Sequence, residues 1–295
     1  MPGTIFDLMK ERVVLMDGGL GTEFMRLGLP QGTCPELWNA EKPELVAGVH
    51  SSYFEAGSDA VSTNSFGGNR IKLSSHRLES RCVELNRAAA RLALDARPAG
   101  RFVAGSMGPT GKFLKPQGEY LEKEFEEAFA EQALALTQGG VDFLLIETMF
   151  DLREALCALK GAKGVSSLPV FAAVTFNRTR RGFFTLMGDS VARCLGELEA
   201  SGAEAVGTNC TLNSADMADL VAEMRKATVL PLIAQPNAGQ PELNQGGGLS
   251  YSQGIEEYLR EFPRLIGNGA RIIGGCCGTN PEHIRRIAAL IKKSI

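Results

Sequence analysis

The chain has 295 residues, 44% of them hydrophobic and 22% charged, with a formal net charge of −3. That balance is ordinary for a globular protein with a sizeable core. It gives no electrostatic reason to bind nucleic acid or an anionic membrane, and no apolar run approaches the roughly 18 residues of a membrane span. The first ten residues lack an apolar segment with a cleavage site, so secretion is not expected. Seven cysteines, an odd number scattered through the chain, suit a reducing compartment such as the cytoplasm, with thiols serving a metal or catalysis rather than a disulfide framework.

After a short amphipathic start, Val13-Val14-Leu15-Met16-Asp17-Gly18-Gly19 reads as a buried strand ending in an acidic residue and a glycine turn. Further strands are expected over residues 60–65, 102–106, 143–147, 170–176, 205–210, 232–237 and 272–277. Between them, apolar residues recur at three- and four-residue spacing over 43–56, 79–96, 120–137, 152–162, 190–201, 214–226, 250–266 and 281–292, which predicts helices. Gly57, Gly139-Gly140, Gly202 and Gly269 stand just past helix ends, where a left-handed cap residue is expected.

Eight strands alternating with eight helices, several of the strands apolar throughout, form the pattern of a parallel sheet buried on both faces. In about 295 residues this fits a closed (β/α)₈ TIM barrel occupying residues 1–295 as one domain; a doubly wound open sheet is the alternative. No Pro/Ser-rich linker or low-complexity tract divides the chain. In a barrel, active sites lie on the face where the strands end. The strand ends are Asp17, Thr63-Asn64, Ser106, Glu147, Thr175, Cys210, Asn237 and Cys276-Cys277. Polar residues finish otherwise apolar strands, and these ends converge on one mouth.

Adjacent side chains on a regular strand point to opposite faces, so Cys276 and Cys277 can reach one metal only if the backbone leaves the strand there. Gly274, Gly275 and Gly278 permit that. Two buried hydrophobe-like thiols, or a vicinal disulfide, are the other readings of the pair. Cys210, two strands earlier, can face the same opening. Three thiolates suit Zn²⁺ in tetrahedral geometry and leave one position for a substrate. His50, His76 and His283 are expected in helices or loops away from the strand ends, and Cys34, Cys82, Cys157 and Cys194 in a loop and helices, where packing is their expected role.

Asp17-Gly18-Gly19-Leu20-Gly21-Thr22-Glu23-Phe24 has a phenylalanine where a dinucleotide fingerprint needs its third glycine. Backbone N–H groups of such a turn can still hold a carboxylate, while Asp17 and Glu147 could bind an ammonium group or simply cap helices. The combination fits an α-amino acid with its side chain directed at the metal.

Asp17-Gly18-Gly19-Leu20-Gly21-Thr22-Glu23, Thr63-Asn64-Ser65-Phe66-Gly67-Gly68-Asn69-Arg70, Gly105-Ser106-Met107-Gly108-Pro109-Thr110, Ile146-Glu147-Thr148, Asn209-Cys210, Pro236-Asn237-Ala238-Gly239 and Gly274-Gly275-Cys276-Cys277-Gly278-Thr279 together resemble the homocysteine S-methyltransferase family. The likeness runs over nearly the whole chain and is strongest to the homocysteine-binding domain of cobalamin-dependent methionine synthases. It implies a zinc-bearing barrel that methylates homocysteine to methionine. Cys210, Cys276 and Cys277 would be the metal ligands, Asp17, Gly18, Gly19 and Glu147 contacts to the amino acid, and Asn237 a neighbour of the metal. Thr63, Asn64 and Ser106 are expected beside them in the substrate pocket. Three thiolates and Zn²⁺ carry a net charge of −1, so a fourth sulfur keeps much of its electron density and attacks as thiolate. The sequence lacks the Asp-x-His-x-x-Gly cobalamin motif and the long arm of betaine-using relatives. The expected donor is therefore methylcobalamin or a related methyl-corrinoid on a separate protein, or a small sulfonium or ammonium compound. The Arg178-Thr179-Arg180-Arg181 segment is expected to be solvated or to dock an acidic carrier. A site methylating another thiol and a non-catalytic zinc- and amino-acid-binding module are the alternatives.

Overall fold

The apolar runs pair as eight parallel strands in a computed structural model that describes residues 3–243 and 249–293. The strands are β1 (Val14–Leu15), β2 (Ala60–Ser62), β3 (Phe102–Met107), β4 (Phe143–Met149), β5 (Val170–Val174), β6 (Ala205–Asn209), β7 (Leu232–Gln235) and β8 (Ala270–Ile273). Their order, β1-β8-β7-β6-β5-β4-β3-β2, is that of a barrel cut along the β1–β2 seam. Side chains bridge the seam. Asp59 N–H donates to Leu15 O at 2.7 Å, Leu15 N–H donates to the Asp59 carboxylate at 3.0 Å, and Ser62 N–H donates to the Asp17 carboxylate at 2.7 Å. Two aspartates thus stand in for ladder bonds and bring the sheet to near closure, so the (β/α)₈ expectation holds.

Strand alternation divides the core. Leu15, Val61, Val103, Leu144, Ala172, Val206 and Ala234 face the surrounding helices. Val14, Ala60, Phe102, Phe143, Phe171, Ala205, Ile233 and Ile272 face inward and pack with Ile5 and Met9. The latter two belong to the helix Ile5–Glu11, which is started by a Thr4–Asp7 capping box and plugs the N-terminal end of the barrel. Phe143 and Phe171 stack there with ring centroids 4.7 Å apart.

The expected helices at 43–56, 152–162, 190–201 and 214–226 appear as Pro43–Ala56, Leu152–Val165, Val191–Ala200 and Ser214–Met224. Gly57 and Gly140 adopt φ of 112° and 94° at helix ends, a region open to glycine without Cβ strain. One expectation changes. The helix read over 250–266 is two, Ile255–Arg260 and Phe262–Gly267, divided at Glu261; Pro263, in the first turn of the second, lacks the N–H that a continuous ladder would need, and residues 249–251 are instead a hairpin strand paired with Pro241–Leu243. The basic segment after β5 is a second hairpin, Asn177–Thr179 with Gly182–Phe184. Its residues 178–181 are exposed, as expected of a solvated segment, and Arg178 is also tied to Asp216 and Asp219 of the neighbouring helix. Among the described residues, no helix is long and apolar enough to cross a membrane.

Candidate active site

Where the strands end, the inward positions turn polar: Ser62, Ser106, Glu147, Asn209 and Gln235 continue the alternation of the apolar interior below them. Over this polar layer lies a cavity of about 490 Å³. Of the residues expected at the mouth, Asp17, Gly18, Gly19, Thr63, Asn64, Ser106, Glu147, Cys210, Cys276 and Cys277 line it. Thr175 and Asn237 do not line it.

Cys210 and Cys277 bring their sulfurs to 3.9 Å, and all three thiol sulfurs of Cys210, Cys276 and Cys277 lie within 4.8 Å of one another. No disulfide joins them. A tetrahedral ion with 2.3 Å bonds to sulfur would need sulfurs roughly 3.8 Å apart, so the cluster fits a small thiophilic metal. The backbone turns sharply to deliver them. Cys210 takes a φ of 63°, and the Cys276-Cys277 turn closes through Gly278 at 82°. A Cβ on Gly278 would sit 2.3 Å from the Tyr251 ring, which makes glycine obligatory there. Thr279 binds the Cys276 carbonyl at 2.7 Å and receives the Gly19 N–H at 3.1 Å, while Thr22 receives the Gly278 N–H at 3.1 Å. The two glycine turns are therefore braced against each other.

Electrostatics separates these thiols from the rest. Burial pushes the thiols of Cys34, Cys82, Cys157 and Cys194 up to about 12, which keeps them protonated. The Cys210 thiol lies far below its ordinary value because Cys276 and Cys277 donate to its sulfur; theirs are pushed up in return. The Asn237 side chain adds a small part of that lowering, and its buried Oδ1 has no hydrogen-bond partner.

Opposite stand two carboxylates without a counter-cation among the described residues. Asp17 is buried, its carboxyl pushed up to about 8 by desolvation and by the charge of Glu147, against the pull of the Ser62 hydrogen bond. Glu147, half-buried at the end of β4, is raised to about 7 by desolvation. It accepts from Ser106 Oγ at 2.5 Å and from Asn209 Nδ2 at 3.2 Å. Thr63 and Asn64 face the cavity but spend polar atoms on the scaffold: Thr63 Oγ1 accepts the Ser106 N–H at 3.0 Å, and Asn64 Nδ2 donates to the Pro35 carbonyl at 2.8 Å. Gly18 and Gly19 leave no room for a side chain, since added Cβ atoms would meet Thr279 Oγ1 and the Cys276 carbonyl at 2.7 Å each.

Asn209, beside Glu147, and the cavity residues Gln235, Tyr251 and His76 were given no role by sequence reasoning. Asn209 and Gln235 were recoverable, because alternation from Ala205 and Ile233 aims both inward. Tyr251, whose ring lies over Gly278, had no local signal. Nor did His76, expected away from the strand ends yet found in the cavity wall.

Residues 14–291 match the family described as homocysteine S-methyltransferase. The methionine synthases of Mycobacterium tuberculosis and Mycobacterium leprae are 31% and 30% identical over 97% and 98% of this chain. This chain spans only a quarter of their length, 25% in each case. The crystal structure of the homocysteine methyltransferase MmuM from Escherichia coli in its metallated form aligns with a TM-score of 0.78 at 24% identity, over 97% of this chain and 99% of that one. At that identity the likeness speaks for the fold alone.

Proposed function

The chain belongs to the homocysteine S-methyltransferase family, and from that premise we propose that residues 1–295 form one homocysteine-binding domain that methylates homocysteine to methionine with zinc held by Cys210, Cys276 and Cys277. The observation that carries the reading is the convergence of three thiols within 4.8 Å on one cavity with two unpaired carboxylates. A site that merely buried cysteines would not face them with uncompensated acids. The all-sulfur donor set favours Zn²⁺ over hard cations, which prefer oxygen. When bound, zinc would supply the charge that holds the homocysteine sulfur as thiolate at neutral pH.

The remaining work falls to the chain itself. Asp17 and Glu147, each raised by burial, regain their charge when an ammonium group enters between them. Gly19 caps the helix Leu20–Arg26 without a side-chain bond. The first N–H groups of that helix have no partner within it, and they line the cavity as a seat for the α-carboxylate. Ser106 and Asn209 fix the Glu147 carboxylate. Anchored at its amino-acid end, the substrate can present its sulfur to the thiol cluster, and the methyl group is taken in line as its bond to the donor breaks.

The rim favours a donor carried on another protein, a methyl-corrinoid such as methylcobalamin, over a small sulfonium or ammonium compound. Phe66, Phe113, Leu186 and Met187, on loops following β2, β3 and β5, are exposed apolar side chains on the mouth side of the barrel. Apolar side chains exposed on several loops around one mouth offer a docking surface for such a carrier. Seven unpaired thiols suit a reducing, cytoplasmic setting.

The test is methionine formation by the zinc-loaded chain from homocysteine with free methylcobalamin, a methyl-corrinoid protein, S-methylmethionine or betaine. Methionine from any donor supports the reading, and the productive donor identifies the partner. Homocysteine bound without turnover by any donor would make the protein a binding module. Turnover of other thiols in preference to homocysteine would reassign the acceptor.

A further inference from the structure

Among the described residues, four that are not glycine adopt positive φ, and three gather in one place: Thr148 at 60°, Cys210 at 63° and Thr211 at 57°. The left-handed region is costly for any residue with a Cβ and worst for a β-branched one. Such strain persists only where the surroundings over-determine it, and it concentrates at functional sites. Thr148 follows Glu147 directly, at an irregularity in the β4–β5 pairing between Ile146 and Met149. What holds it is Asn209. The Thr148 N–H donates to Asn209 Oδ1 at 2.7 Å, and Asn209 Nδ2 donates to Thr148 Oγ1 at 2.7 Å. A backbone N–H can only donate, so Oδ1 must face it, which fixes the orientation of the amide. Nδ2 is thereby turned toward Glu147 Oε2 at 3.2 Å and Cys276 Sγ at 3.9 Å. Asn209 itself immediately precedes Cys210.

We propose that Asn209 is the positioning residue of the site: its amide clamps Thr148 in the left-handed conformation and so sets the Glu147 carboxylate at a fixed place relative to the Cys210–Cys276 thiols. One planar group then ties the end of β4 to β6 and to the Cys276 turn that follows β8. The inference rests on the homocysteine reading above for its ligand, not for the clamp. A bystander asparagine at a strand end would need neither an amide committed at both ends nor a strained threonine opposite.

Two variants and one rescue test it. Asn209→Ala removes the clamp, and zinc content is expected to stay near one per chain while homocysteine affinity by calorimetry falls about 10- to 100-fold, as for residues that orient metal-site groups. Asn209→Asp keeps the acceptor for the Thr148 N–H but loses the donors to Glu147 and Cys276; it is expected to lose affinity similarly and serves if the alanine variant does not fold. In a Thr148→Gly background, where glycine takes a φ of 60° unaided, removing Asn209 should cost clearly less than in wild type. Equal losses in both backgrounds, or unchanged affinity, would overturn the clamp. Cobalt(II) in place of zinc gives a readout independent of the substrate: the thiolate charge-transfer bands should shift in Asn209→Ala, and unshifted bands refute the link to Cys276. A wild-type chain that takes up cobalt but binds no homocysteine would sink the functional reading alone, and the cobalt bands would then decide the clamp.

Discussion

Two buried aspartates bridge the same seam of the barrel at opposite ends, and they do opposite jobs. Asp59, before β2, receives the Leu15 N–H and is held by Arg12 at 2.6 Å and by Arg101. Asp17, after β1, receives the Ser62 N–H, and no arginine or lysine among the described residues pairs with it. Around Asp59 the barrel is plugged by the helix Ile5–Glu11 and filled with Phe102, Phe143 and Phe171; around Asp17 it opens into the cavity. One end is closed, compensated and spent on stability. The other is left polar, strained and short of positive charge, which is the state expected of a site waiting for a cation and a metal.

The largest effect belongs to the open end. Cys210→Ala should abolish tight zinc binding, measured by metal content after dialysis against a weak chelator, because two thiols cannot close a tetrahedral site. Cys157→Ala, buried in the helix Leu152–Val165, should retain it. Equal metal content in the two variants would erase the distinction between clustered and packing cysteines.

Next come the carboxylates. Glu147→Gln should weaken homocysteine binding by about 30- to 5,000-fold, since truncating one partner of a desolvated charge pair costs about 2–5 kcal/mol, with zinc content unchanged. Mercaptoethanol, which lacks the amino-acid end, should bind both proteins alike. Calorimetry on wild type and variant checks this, and unchanged homocysteine affinity would leave Glu147 a structural residue.

Asp59→Asn probes the closed end. It should lower stability in urea unfolding by about 2 kcal/mol, less than for fully buried pairs because its arginines are 32% exposed. Homocysteine affinity of the folded protein should not change. Were Asp59→Asn to lose binding as Glu147→Gln does, the two ends would not be separable.

The smallest effect is one of pH. The folded state raises Asp17 from 3.8 to about 8, so between those values it holds a proton that the unfolded chain has released. Its stabilising contribution is complete below the unfolded pKa and is lost as pH rises through about 8. Metal- and ligand-free protein should therefore lose on the order of 1–2 kcal/mol between pH 5 and 6 that Asp17→Asn does not lose. Identical pH slopes in the two proteins would mean that Asp17 is ionised throughout and balanced by a group other than the ligand.

Much of this was legible beforehand. Largely apolar runs such as Phe143–Glu147 announced buried parallel strands, and their polar last residues announced a mouth. The 250–266 helix misled because its apolar spacing is helical on either side of Glu261, and periodicity does not register a break that costs one hydrogen bond and one turn. Residues 178–181 are exposed as read, but the pairing of Arg178 was not legible, because Asp216 and Asp219 lie beyond an intervening helix and strand.

The sequence by itself determined the architecture, the three thiols as a candidate set and the two acids, since hydrophobic period, chain length and residue chemistry are local properties. Only the tertiary structure decided how those groups relate. It spent Asp59 on arginines and left Asp17 without them, turned Asn209 into a clamp on Thr148, laid Tyr251 over Gly278, and put Asn64 to work holding the Pro35 carbonyl. Each of these depends on distances between segments remote in the chain. Such distances follow from barrel closure and strand register, which no single stretch of residues encodes.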